Sequence, residues 1–176
     1  MPAAPPNRQG EDGVSLRSVL GRFGTGVTVL TVGGTNTHGM TANSFTSVSL
    51  DPPLVLACVA KTALMHDAIL EARSYAVSIL GSHQERLARY FADRRRPKGV
   101  DQFDVTDWFP GTFSNAPLLV GSLAWLECRL AEVHDAGDHS IFVGQVLDMG
   151  RDDTGGGLMF FDGNFHQMAP PSARSA

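Results

Sequence analysis

Apolar positions along this chain come in short runs, and most of the runs have the length and period of strands. Ser15 to Phe23 is the first element and reads as a short helix, with Leu16, Val19 and Leu20 on one side. Gly24-Thr25-Gly26 breaks it, and the β-branched run Val27 to Val32 predicts a strand before the turn signal Gly33-Gly34-Thr35-Asn36. Gly39 to Leu50 alternates with a period of two, yet small hydroxyl and amide side chains sit on both faces, unlike an ordinary half-buried strand. Asp51-Pro52-Pro53 stops that stretch, and Leu54 to Ala60 reads as a continuous apolar, central strand. Thr62 is placed to cap a helix from Ala63 to about Arg73, followed by a strand from Tyr75 to Leu80. Ser82 and Glu85 have capping-box spacing at the head of a helix that buries Leu87, Tyr90 and Phe91 and ends before Pro97. Asp101 to Ala116 is irregular and aromatic, and is expected to form a surface flap. Ser122 to His134 and His139 to Met149 form two long strands around the turn at residues 135–138. Arg151 to Gly157 is a loop, and Met159 to Phe161 and Asn164 to Met168 make a hairpin around Asp162-Gly163.

That gives about seven or eight strands and two or three helices, without a regular alternation of strand and helix. The expectation is a mostly β fold, an antiparallel barrel with helices packed outside, in one domain spanning residues 14–168. Residues 1–13 and 169–176 read as loose tails rich in Pro, Ala and polar residues. The 176 residues suit a single core, and 43% hydrophobic with 18% charged residues is the composition of a globular protein. A formal net charge of -4 argues against nucleic acid as a partner. No apolar run reaches the roughly 18 residues that would span a membrane. Nor does the N-terminus carry the apolar core of a signal peptide, so a cytoplasmic location is expected. Cys58 and Cys128 fall in different predicted strands and read as reduced, buried thiols.

Three segments carry candidate chemistry. The first is Gly39 to Ser47, where small side chains would let a flat ligand approach the backbone and where Asn43 and the hydroxyls can donate hydrogen bonds to it; the plain alternative is a polar edge strand. The second is Asp93-Arg94-Arg95-Arg96-Pro97-Lys98, four cations in five positions, after Phe91, whose ring could stack on a nucleobase. Arginine forks fit phosphate oxygens in pairs, but a solvated helix end is the alternative. The third is Gly137 to Gly144, where His139 stands at a strand start next to a tight turn and could meet a nicotinamide or idle there. The glycines of Gly21 to Gly26 precede a strand rather than open a helix, so the dinucleotide fingerprint and the P-loop are both absent. The six histidines show no metal-binding spacing, and no metal is expected.

Taken in order, Phe23-Gly24-Thr25-Gly26-Val27-Thr28-Val29, the long run from Gly39 to Val55, Phe91-Ala92-Asp93 and Gly137-Asp138-His139-Ser140-Ile141-Phe142-Val143-Gly144 resemble the short-chain flavin reductase family. That family supplies the reductase components of two-component flavin-dependent monooxygenases, and the likeness is greatest to reductases of actinomycete enediyne pathways. It covers Leu16 to Met168, nearly all of the ordered chain. The resemblance implies a Greek-key-like split β-barrel homodimer that binds FMN or FAD noncovalently and takes hydride from NADH, for a separate oxygenase active in natural-product biosynthesis or aromatic hydroxylation. Carried over residue by residue, it places Thr41, Ala42, Asn43, Ser44 and Ser47 at the isoalloxazine. Cys58, Val59, Ala60 and Lys61 then line the ribityl chain and phosphate, with Phe91, Arg94, Arg95 and Arg96 by the phosphates and any adenosine. His139 meets the nicotinamide and Phe165 closes the pocket. The chain departs from the family pattern at Gln145, where Glu is frequent, and at Phe161 and Phe165, where Tyr is frequent. A flavin carrier without turnover and a split-barrel oxidase are the rival readings.

Overall fold

The computed structural model describes residues 14–152 and 155–170, so the expected tail 1–13, the end of the expected C-terminal tail and part of the 151–157 loop lie outside the described residues. The alternating stretch 39–50 is two strands: β3 (His38–Ala42) and β4 (Phe45–Leu50) are separated by Asn43 and Ser44. Around them run β1 (Thr25–Gly26), β2 (Thr28–Val32), β5 (Pro53–Ala60), β6 (Ser74–Ile79), β7 (Trp108–Pro110), β8 (Pro117–Leu119), β9 (Ala124–Ala136), β10 (His139–Arg151), β11 (Leu158–Phe161) and β12 (Asn164–Gln167). The helices are α1 (Leu16–Leu20), α2 (Leu64–Ala72) and α3 (Glu85–Ala92).

Seven strands form one antiparallel sheet in the order β3-β2-β6-β9-β10-β5-β4. Its two edges are therefore β3 and β4, consecutive in the chain. Laid flat, seven strands spaced about 4.8 Å apart would hold these edges roughly 29 Å apart. The three Cα steps from Ala42 to Phe45 reach about 11 Å at most. The sheet must curl until its edges meet at Asn43 and Ser44, which gives a split barrel whose edges touch at a seam without pairing. Cys58 N–H donates to the Ser44 carbonyl at 3.0 Å, and Ser44 Oγ donates to the Cys58 carbonyl at 2.7 Å, so the seam is fastened to β5. β5 is thus second from the edge instead of central, with a burial that alternates along it.

The barrel interior packs Leu30, Ala57, Val59, Tyr75, Val77 and Phe142, closed on one side by Met65 and Ile69 of α2. A second cluster, with Val27, Val29, Leu80, Phe91, Phe103 and Leu158, lies under α3. Every residue of β2 is buried because the two clusters cover its two faces. Several local expectations change. Ala63, not Thr62, stands at the N-cap of α2, without a side-chain cap. Gln84, not Ser82, caps the turn before α3: its Oε1 accepts from Gly81 N–H at 3.0 Å and its Nε2 donates to the Val120 carbonyl at 3.0 Å. The aromatic stretch expected as a flap is anchored: Phe103 is fully buried at the end of a short 3-10 helix, and β7 pairs with β8. The last hairpin forms as expected, with Asp162 and Gly163 both at positive φ in its two-residue turn.

Candidate functional site

β3, the start of α2 and the end of α3 with the segment after it enclose a cleft of about 280 Å³ beside the seam. The cleft exists because α3 docks tightly on β3. A Cβ on Gly39 would come within 2.8 Å of the Phe91 ring and 3.0 Å of Phe103, so only glycine admits this approach. Gly39 N–H donates to Gln102 Oε1 at 2.9 Å, and its carbonyl accepts from the Arg96 guanidinium. Thr41 Oγ1 adds a bond to the Ala88 carbonyl of α3 at 2.7 Å.

The arginine run separates into three environments. Arg96 is half-buried and bonded inward, to the carbonyls of Asp93 and Gly39, to Gln102 Oε1 and to His38 Nε2, with its guanidinium 5.7 Å from the Phe91 ring centre. It holds the walls together. Arg95 points outward and pairs through two nitrogens with Asp93, and that hydrogen bonding holds the Asp93 carboxyl below its usual range. Arg94 and Lys98 line the cleft, and among the described residues neither has an ion-pair partner. The three arginines expected to act together therefore do not share one environment. Phe91 is corrected as well: it forms the floor, fully buried against Tyr90 and Phe103, so its ring is not offered for stacking on a base. His38 lines the same cleft; burial, then the nearby Arg96 and Lys98 charges, push its pKa down to about 4. The ring is neutral at physiological pH.

Along the seam, Ala42 is buried, Ser44 is bonded to β5, and Asn43 and Ser47 are exposed. Val59 is buried, while Cys58 and Ala60 are half-buried on β5. Ala60 pairs directly with His139 across β5 and β10. Lys61 Nζ lies 2.7 Å from Asp135 Oδ2, and His139 Nδ1 lies 2.8 Å from Asp138 Oδ1. These contacts hold both carboxyls below their ordinary range, by hydrogen bonding from Lys61 and His139 respectively. Ser140, the next residue, shares a hydrogen bond with His66 Nε2 of α2 at 3.0 Å. Lys61 and His139 thus stand at one end of the sheet, joined to the cleft through Thr62. Phe165 is elsewhere: it packs on Phe160 and beneath the guanidinium of Arg89 on α3, 4.8 Å from the ring centre. It does not line the cleft.

Sequence reasoning missed His38, Met40, Thr62, Ala63 and Leu64 as lining residues. Lys98 carried a signal, as part of the basic run. Nothing in the sequence marks His38, whose role follows from the docking of α3.

The flavin reductase like domain family matches residues 20–169, and the chain belongs to that family. The chain is 52% identical over 160 residues to the NADH-dependent FAD reductase of Streptomyces globisporus, covering 91% of this chain and 88% of that protein. It is 45% identical over 157 residues to the FMN reductase (NADH) SmoA of Agrobacterium fabrum, covering 89% and 86%. Among solved structures, BorF, the flavin reductase component of a bacterial two-component tryptophan halogenase, superposes with a TM-score of 0.85 at 50% identity, over 88% of this chain and 96% of that one. The Streptomyces globisporus NADH:FAD oxidoreductase in complex with NAD and FAD fragments gives 0.83 at 50% identity, over 89% and 93%.

Proposed function

We propose that this chain is an NADH-dependent flavin reductase, which passes reduced FAD or FMN to a separate flavin-dependent monooxygenase. The observation that carries this reading is the adjacency of two features: the small, polar seam at residues 41–44 and a cleft whose Arg94 and Lys98 have no carboxylate partner among the described residues, in a chain of net charge -4. The donor set fits a phosphorylated flavin. The seam offers a thin wall with a free amide at Asn43, and the two cations suit a phosphate.

When bound, a flavin supplies the two-electron acceptor for hydride from NADH. The segment Thr41, Ala42, Asn43 and Ser44, with Ser47, would border its ring edge, with Asn43 and Ser47 offering exposed side chains to it. Cys58, Val59, Ala60 and Lys61 would border the chain leading to the phosphate, and Arg94 and Lys98 would bind that phosphate. His139, its Nδ1 tied to Asp138, presents Nε2 to orient the nicotinamide. The protein aligns the two ligands, and the reaction draws on no protein acid or nucleophile. Because the product must leave for the oxygenase, binding is moderate, with a dissociation constant near micromolar, or about 8 kcal/mol. The partner oxygenase acts in natural-product biosynthesis or aromatic hydroxylation, a setting supported by the likeness to a halogenase component.

The functional unit is the domain 14–168, as a homodimer in the cytoplasm. α1 supports the dimer: it has no buried residue, and Leu16, Val19, Leu20 and Phe23 are each more than half exposed. The two unpaired thiols, Cys58 and Cys128, suit a reducing compartment. Calorimetric titration tests the site. Exchanging both Arg94 and Lys98 for Ala should weaken flavin binding about tenfold or more, since a charge-assisted bond is worth roughly 1.5–3 kcal/mol. Arg95→Ala should leave it unchanged. Unaltered affinity in the double variant would move the phosphate out of this cleft.

A further inference from the structure

The hairpin of β9 and β10 projects beyond the barrel, and every residue at 131–138 is exposed. A lone two-stranded hairpin is marginal in water, so its base needs an anchor. Ser140 is the first buried residue after the turn, at 5% exposure, and it lies on the same inner face of β10 as Phe142. Its Oγ meets His66 Nε2 of α2 at 3.0 Å, and the His66 ring packs edge-on against Phe142 with centroids 5.2 Å apart. On its other side, His66 Nδ1 lies 3.2 Å from Asp67 Oδ1. In the tautomer with the proton on Nδ1, that nitrogen donates to Asp67 and Nε2 accepts from the Ser140 hydroxyl. The order serine, histidine, aspartate is that of a hydrolytic triad, but a hydroxyl buried this deeply offers no nucleophile to a substrate. The contact joins two elements instead.

Those elements carry the two halves of the site. α2 hangs from the end of β5: Ala63 N–H donates to the Ala60 carbonyl and His66 N–H to the Ala63 carbonyl, both at 2.9 Å. Ala60 pairs with His139 across to β10. Ala60, Ala63, His66, Ser140 and His139 thus close a ring of contacts, which ties the cleft wall at Thr62, Ala63 and Leu64 to the start of β10. We propose that His66 and Ser140 are positioning residues for the reduction, and that their hydrogen bond sets the place of His139 against the nicotinamide; this rests on the reading of His139 as the residue that orients NADH. The His139 ring is bonded to Asp138, an exposed residue of the same projecting turn. That bond turns the ring but cannot fix the hairpin to the barrel. The buried neighbour on the opposite face does so, one residue further along the strand.

The test is steady-state kinetics of the full chain with NADH, beside flavin titration, for the wild type, Ser140→Ala, His66→Phe, His139→Ala and the double variant Ser140→Ala/His139→Ala. His66→Phe keeps a ring against Phe142 and loses only the hydrogen bond, so it serves if Ser140→Ala folds poorly. Ser140→Ala and His66→Phe should each raise the KM for NADH about threefold to tenfold, the worth of one hydrogen bond. Their flavin affinity should match the wild type, which also reports that they are folded. In the His139→Ala background, Ser140→Ala should raise the KM no further, because the group it positions is gone. An equal further rise there, or an unchanged KM in both single variants, would overturn the proposal. A parallel loss of flavin affinity would do the same, since the contact would then serve the fold as a whole. If His139→Ala by itself leaves the KM for NADH unchanged, the reading of His139 fails and this proposal falls with it, a result distinct from failure of the link between His66 and Ser140.

Discussion

Arg94, Arg95 and Arg96 stand side by side in the sequence and do three different things. The basic run was legible as a candidate anion site, because four cations in five positions are conspicuous in an acidic chain. Their separation was not legible, since it depends on Gly39 and Gln102, far away in sequence, receiving the Arg96 guanidinium. His38 was hidden for the same reason. Its environment now makes a prediction. The native state holds His38 neutral down to about pH 4, whereas an unfolded histidine titrates near 6.5. Between those values the unfolded chain binds more protons, so stability falls as the pH drops through that window. Urea unfolding of His38→Gln should show a weaker loss of stability between pH 6.5 and pH 4 than the wild type does. Parallel curves for the two proteins would mean that His38 is not held neutral.

At the scale of elements, most strands were legible from their period and their turn residues, and the Asp162-Gly163 hairpin from its turn pair alone. The stretch 39–50 was read as one strand because its alternation of side chains continues through the bend at Asn43 and Ser44. Only the curling of the sheet, a tertiary effect, places its halves on opposite edges. The aromatic segment 101–116 was misjudged because irregular backbone hides the burial of Phe103. The motif ending at Gly144 has a packing reason as well as any functional one. A Cβ there would lie 2.4 Å from Tyr75 Oη and 2.8 Å from Cys128 Cβ, both in the barrel interior. Overpacking of this kind typically costs about 1–3 kcal/mol. Gly144→Ala should therefore lower the unfolding free energy by that amount, read from urea unfolding, while Gly137→Ala, where nothing lies within 4 Å, should cost only its backbone strain at φ +69°. Equal, small effects would show that β10 adjusts freely around Tyr75.

For the whole molecule, the mostly β architecture and the outlying helices were legible from the absence of β-α-β alternation, and the family from the run at residues 39–55. The split barrel leaves α1 at the outside with an exposed apolar side and no buried residue. Light scattering after size exclusion should give twice the 18.8 kDa chain mass. Exchanging both Leu16 and Leu20 for Ser should shift the protein toward the monomer. A wild type that runs as a monomer at micromolar concentration would remove the dimer from this account.

The central claim is that this fold delivers hydride from NADH to a dissociable flavin. The most direct measurement is the loss of NADH absorbance with purified protein, with and without added FAD or FMN, and with NADPH in parallel. The account predicts oxidation that depends on added flavin and is faster with NADH than with NADPH. Flavin binding without any flavin-dependent oxidation would contradict it and leave a carrier in place of a reductase.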